Sequence, residues 1–145
     1  GHIDSVMYYL NKWNIPQPPH IQFIMGVGGS MPSTAENLAF FVGKLPKDAT
    51  WSVSGIGKAH MSMMLAGLAL GCDGLRVGLE DNVMFGKNPD GSRDIATNLR
   101  LVQRAVELCK LAGREIATAQ DAREILGITR NCLRDEKTYP LTPAE

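Results

Sequence analysis

The segment Gly74-Leu75-Arg76-Val77-Gly78-Leu79-Glu80-Asp81-Asn82 sets three ionisable side chains into a run that otherwise reads as a buried strand. Buried charges are costly unless they are paired or bound to a metal. Period-two alternation puts Arg76, Gly78 and Glu80 on one face and Leu75, Val77 and Leu79 on the other, so the guanidinium and the Glu80 carboxylate are expected to share one interior. Gly78 leaves room between them for a ligand. Two uses fit these residue types. A carboxylate can move protons or hold a cation while the arginine fixes an anion, or Arg76 can form a purely structural ion pair with Glu80 or Asp81 at the rim of a sheet.

Other groups carry weaker signals. Gly26-Val27-Gly28-Gly29 reads as a tight strand-to-helix turn, with close approach to a phosphate as the alternative. Gly55-Ile56-Gly57-Lys58 follows the next strand at a position where many barrels bind phosphate. Met61, Met63 and Met64 read as helix-packing residues, and His60 as a surface or capping histidine.

The elements that must position these groups alternate. Val6 to Leu10 with Trp13 reads as the end of an amphipathic helix stopped by Pro16, Pro18 and Pro19. His20-Ile21-Gln22-Phe23-Ile24-Met25 is a short apolar strand between prolines and glycines. Ser33 with Glu36 makes a capping-box pattern for a helix whose inner face is Leu38, Phe41, Val42 and Leu45. Trp51 to Ser54 is a second strand, followed by a helix from about Ala59 to Leu70. Leu75 to Leu79 is the third strand. An irregular polar loop with Gly86, Pro89 and Gly91 then leads to a long helix from about Ser92 to Ala112, with Ile95, Leu99, Val102 and Val106 along one stripe. Thr118 with Asp121 caps a last helix, Ala122 to Leu126, closed by Gly127. Strand-helix alternation of this kind implies α/β class with a parallel sheet. Three such units do not close a (β/α)8 barrel, which takes roughly 250 residues, so the chain is expected to be part of a barrel, one piece of a nicked one, or a small open sheet.

Length and composition narrow the possibilities. The 145 residues are 44% hydrophobic and 21% charged, enough for a packed core, and the 15 basic residues balance the 15 acidic ones. That balance argues against a nucleic-acid binder or a membrane-surface protein and favours a small molecule or another chain as partner. Cys72, Cys109 and Cys132 show neither zinc-site spacing nor an even count, so they are expected to be reduced thiols. No apolar run approaches the roughly 20 residues that span a bilayer, and the start of the chain lacks signal-peptide character. A cytoplasmic setting is the expectation.

Arg76-Val-Gly-Leu-Glu80-Asp81-Asn82, Gly113-Arg-Glu-Ile-Ala-Thr118 and Ala122-Arg-Glu-Ile-Leu-Gly127 together resemble the C-terminal signature of the beta-keto acid cleavage enzymes. The resemblance extends through His20 to Gly26, Thr34 to Leu38 and Trp51 to Gly57, leaving out only about the last dozen residues. It implies the C-terminal half of a TIM barrel, residues 1–145 being the C-terminal part of a single barrel domain with its last three β-α units; the polar, proline-bearing composition of 131–145 reads as a tail. It also implies an enzyme that transfers between a beta-keto acid and acetyl-CoA, giving acetoacetate and a new acyl-CoA. On this reading Glu80 is a zinc ligand, and Asp81 is a catalytic carboxylate working with Arg76. Gly55, Gly57 and Lys58 would meet the CoA moiety, Lys58 standing where relatives are expected to carry arginine. The other two zinc ligands would be a His-x-His pair. His2, His20 and His60 are isolated, so this chain by itself is expected to bind metal poorly and to be inactive without further residues.

Two other functions remain compatible with the residues. One is a metal-independent barrel lyase or aldolase that holds a phosphate on the glycine loops and Arg76. The other is a non-catalytic half-barrel that pairs with a second chain. Open strand edges make self-association, or association with an N-terminal half, the expected state.

Overall fold

Prolines and glycines divide the chain as the apolar runs suggest. A computed structural model describes residues 2–13 and 18–128; the tail expected over 131–145, with Cys132, lies outside the described residues. Helix α1 (His2–Lys12) precedes strand β1 (His20–Met25), helix α2 (Ala35–Val42) and strand β2 (Thr50–Gly55). A 3₁₀ turn (Gly57–Ala59) runs into helix α3 (His60–Ala69), followed by the short strand β3 (Gly74–Leu75). A hairpin of β4 (Met84–Lys87) and β5 (Arg93–Ile95) comes next, then helices α4 (Asn98–Leu111) and α5 (Ala119–Ile125).

The three strands form a parallel sheet in the order β1-β2-β3, with His20 beside Thr50, Met25 beside Gly55, and Val53 beside Leu75. The architecture is therefore mixed α/β around a parallel sheet, each crossover made by a helix. Alternation sorts the strand side chains by face. Phe23, Met25, Trp51 and Val53 point to the helices and pack with Leu38, Met63 and Cys72. Phe23 lies 5.7 Å from Phe41 and 5.8 Å from Trp51, ring centre to ring centre. Gly67 lets α3 lie flush on β2, because a Cβ there would collide with the Val53 side chain. Asp73 ties the sheet's lower edge by accepting from the Trp51 amide at 2.8 Å while its own amide donates to the Trp51 carbonyl at 2.9 Å.

The opposite face carries His20, Gln22, Ser52, Ser54 and Arg76, and apart from the exposed Ile24 beside Ser54 it is polar. His20 meets Thr50 Oγ1 at 2.9 Å and Ser52 Oγ at 3.1 Å. Ser52 and Ser54 are buried all the same.

Several sequence expectations are corrected. The third strand does not run to Leu79: its ladder ends where the Arg76 amide donates to the Val53 carbonyl, and the Asp81 and Asn82 amides then both turn to the Gly78 carbonyl. Helix α2 is capped by Thr34, whose hydroxyl accepts from the Asn37 amide, rather than by a Ser33–Glu36 box. The polar loop is ordered by the β4–β5 hairpin, so the long helix begins only after its cap at Thr97. That helix buries Leu101 and Ala105, whereas Ile95, Leu99 and Val102 of the expected inner stripe are exposed. The Thr118–Asp121 capping box is present, one turn ahead of the expected helix start. Met63 and Met64 are buried in packing, but Met61 is exposed. Gly26 to Gly29 forms a tight turn, with the Ser30 amide donating to the Val27 carbonyl at 3.0 Å.

Candidate functional site

The polar face converges at the C-terminal ends of the strands, where open α/β sheets bind ligands. The end of β2 supplies Ser54, the residue after β3 supplies Arg76, and the turn that follows supplies Glu80 and Asp81. Arg76 grips Asp81 in a fork, Nε to Oδ2 at 2.9 Å and Nη2 to Oδ1 at 3.0 Å. Ser54 Oγ donates to Asp81 Oδ2 at 2.8 Å, and Arg76 Nη1 donates to Gln22 Oε1 at 3.2 Å. The Asp81 side chain is only 4% exposed, and that of Arg76 28%. The paired geometry is what allows an acid to be buried there.

Backbone contacts lock the turn to its neighbours. The Gly57 amide donates to the Asp81 carbonyl at 2.9 Å, and the Ile56 amide to the Met25 carbonyl at 3.0 Å. Gly57 sits at φ +57°, a conformation that favours glycine. Gly55 serves packing: a Cβ there would strike the Ala59 carbonyl and Met63.

Strand parity placed Arg76 and Glu80 in one interior, and the structure joins them by a different route. Arg76 Nη2 meets Glu80 Oε2 at 2.7 Å, but the Glu80 side chain is 86% exposed. Glu80 therefore sits on the solvent side of the guanidinium, and the acid enclosed with Arg76 is Asp81. Leu75 packs on the apolar core, and Leu79 is 40% exposed in the turn.

A cavity of about 500 Å³ opens beside this cluster, lined by Lys58, His60, Glu80, Asp81 and Arg104 among others. Lys58 is exposed. His60, expected at the surface or on a cap, is instead 2% exposed, and neither of its ring nitrogens has a hydrogen-bond partner. Burial pushes its pKa below the ordinary histidine value, the Arg104 charge adds to that, and Asp81 opposes both.

Sequence reasoning missed Ser54, Gln22, His60 and Arg104 as members of the site. A signal for two of them was present: Gln22 sits between Ile21 and Phe23, and Ser54 follows Trp51-Ser52-Val53, so both strands alternate apolar with small or polar residues.

Among the described residues no three His, Cys, Asp or Glu side chains come together as a metal site. Glu80 is the one expected donor, and it is engaged by Arg76. These residues alone do not fit a complete zinc centre.

Residues 1–128 match the family model described as beta-keto acid cleavage enzyme. The chain is 36% identical over 128 residues to the 3-keto-5-aminohexanoate cleavage enzyme of Acetoanaerobium sticklandii, an alignment that covers 88% of this chain and 45% of that protein. It is 41% identical over 112 residues to the 3-oxoadipate:acetyl-CoA acetyltransferase of Cupriavidus necator, covering 75% of this chain and 38% of the relative. With the 3-dehydrocarnitine:acetyl-CoA trimethylamine transferase of Rhizobium meliloti it shares 30% identity over 130 residues, or 90% of this chain and 41% of the relative. The chain thus spans less than half the length of these curated relatives.

Proposed function

Since the chain belongs to the beta-keto acid cleavage enzyme family, we propose that the whole protein carrying it exchanges acyl groups between a beta-keto acid and acetyl-CoA, releasing acetoacetate and a new acyl-CoA. The observation that supports this most is the buried Asp81 carboxylate, held by the Arg76 fork and the Ser54 hydroxyl at the open end of the parallel strands. The three relatives bear the names of a keto acid cleavage enzyme and of two acetyl-CoA-dependent transferases, which favours this reading over a phosphate-dependent lyase.

The reaction needs a proton taken from the carbon between the keto and carboxylate groups, so that this carbon bonds to the acetyl carbon and expels CoA thiolate. The thiolate then attacks the original keto carbon, the original carbon-carbon bond breaks, and the proton returns to the carbon released. Asp81 is the group for that transfer: it lines the cavity, and its neighbours fix its orientation. Arg76 positions Asp81 and balances its charge, and Ser54 holds Oδ2 from the other side. The Gly57-Lys58 loop borders the same cavity and is the proposed contact for the acyl carrier, whereas Gly55 acts by letting the loop pack.

In the whole protein the parallel sheet is proposed to be the last three strands of a (β/α)8 barrel, with the polar face turned inward. Its free edges at β1 and β3 would be covered by the remaining strands or by a second copy. The resemblance also implies zinc, which when bound would polarise the keto oxygen. The described residues offer it Glu80 alone, so the chemistry assigned to them rests on Asp81, Arg76 and Ser54. Metal analysis of the whole protein is expected to find zinc that Glu80→Ala releases; zinc-free active protein contradicts the assignment.

The function is tested by incubating the whole protein with acetyl-CoA and beta-keto acids and following acetoacetate. Formation that disappears in Asp81→Asn is the expected result. No acetoacetate from any beta-keto acid in the wild type would overturn the reading.

A further inference from the structure

Arginine only donates, and its guanidinium can be gripped from several sides at once. Asp81 and Glu80, two acids of one turn, hold Arg76 at Nε and Nη2 over distances of 2.7 to 3.0 Å. They pull in different directions, because Asp81 is enclosed and Glu80 reaches in from solvent. Among the described residues the guanidinium has one hydrogen-bond partner outside that turn, Gln22, whose Oε1 accepts from Nη1 at 3.2 Å. Gln22 stands on β1 and Arg76 follows β3, so the contact reaches across the middle strand β2, a span of roughly 10 Å at the usual strand spacing. Small residues make room for it: level with Gln22, β2 carries Ser52 and β3 carries Gly74. Because arginine has no acceptor, the Gln22 oxygen must face Nη1 and its NH2 must point away.

We propose that Gln22 is a positioning residue for Asp81, acting through Arg76. Held at Nη1 from β1, the guanidinium keeps both of its bonds to the Asp81 carboxylate, and the fork fixes the plane in which that acid meets a proton. Released from Gln22, the guanidinium is free to swing with Glu80 towards solvent, and Asp81 loses its fixed orientation. The role rests on the acyl-exchange reading for what Asp81 does, but the coupling of Gln22 to the fork stands on its own geometry.

The test compares Gln22→Met and Gln22→Glu in the whole protein; Gln22 is exposed, so neither change removes core packing. Methionine keeps the length of the side chain but not its oxygen, and should lower kcat for acetoacetate formation about tenfold, the value of one hydrogen bond to a charged group, with little change in KM. Glutamate keeps an acceptor for Nη1 and should recover most of that loss. In an Arg76→Lys background Gln22→Met should cost nothing further, because an ammonium has no third edge to hold. Independently of turnover, nitrogen-detected NMR on arginine-labelled protein follows exchange of the Arg76 Nε–H with water, its signal assigned by loss in Arg76→Lys. That exchange should quicken about tenfold in Gln22→Met, for the same hydrogen bond. Unchanged exchange overturns the proposal, as does a kcat per folded molecule equal to that of the wild type, which would leave Gln22 as a tie between strands. Faster exchange in a protein that makes no acetoacetate supports the hold of Gln22 on the fork and overturns the acyl-exchange reading instead.

Discussion

The two faces of the parallel sheet are built on opposite terms. Towards the helices, Phe23, Met25, Trp51 and Val53 fill an apolar layer closed by Leu38 and Met63. On the other face hydrogen bonds form two groups, His20 with Thr50 and Ser52, and Gln22 and Ser54 with the Arg76–Asp81 pair. Stability on the first face grows with area removed from water and tolerates substitutions of similar volume. The second face depends on complete pairing, because one lost partner strands a buried charge. The lesson is that the strands hold the fold with alternate residues and place chemistry with the ones between.

The largest expected break in that comparison is on the polar face. Asp81→Asn keeps the shape of the side chain but removes the proton acceptor, and should lower kcat about a thousandfold, within the usual range for general acid-base groups. A circular dichroism spectrum like that of the wild type would show that the loss is chemical. On the apolar face, Phe23→Ala should leave kcat per folded molecule unchanged yet cost about 3 kcal/mol in urea unfolding. An activity loss larger than the folded fraction explains would blur the distinction between the faces.

Ser54→Ala should cost only about 1 kcal/mol of stability, since Arg76 still holds Asp81. Two titratable groups sharpen the contrast further. Burial pushes the Cys72 thiol up to about 11, so at pH 8 iodoacetamide should label the half-buried Cys109 long before Cys72. His60 is shifted down, so the unfolded chain binds the proton first as pH falls. Its contribution to stability should therefore be lost on acidification through and below the ordinary histidine range, a decline that melting curves between pH 8 and pH 5 should show flattened in His60→Gln.

Much of the helix-facing half was legible in the sequence because its signals are local. His20 to Met25 is a strand at the bounds expected, as prolines and glycines fence its apolar run. Thr118 and Asp121 cap a helix because a capping box needs only four residues. The site was legible in its residue types, since Arg76, Glu80 and Asp81 do meet. The parity argument failed in detail because a turn at Gly78 ends the alternation, a choice made by hydrogen bonds to Gly57 and Asn98 far along the chain. The burial of His60 is a product of tertiary packing, which brings it to one cavity with the hairpin and Arg104, and nothing beside His60 in the sequence encodes that.

The most direct test of the central claim, that Ser54 and Asp81 act as one unit, is a double-mutant cycle on kcat for acetoacetate formation. Ser54→Ala should lower kcat in the wild-type background and have no further effect in Asp81→Asn, because the hydroxyl works only through that carboxylate. Independent, additive losses would contradict the account.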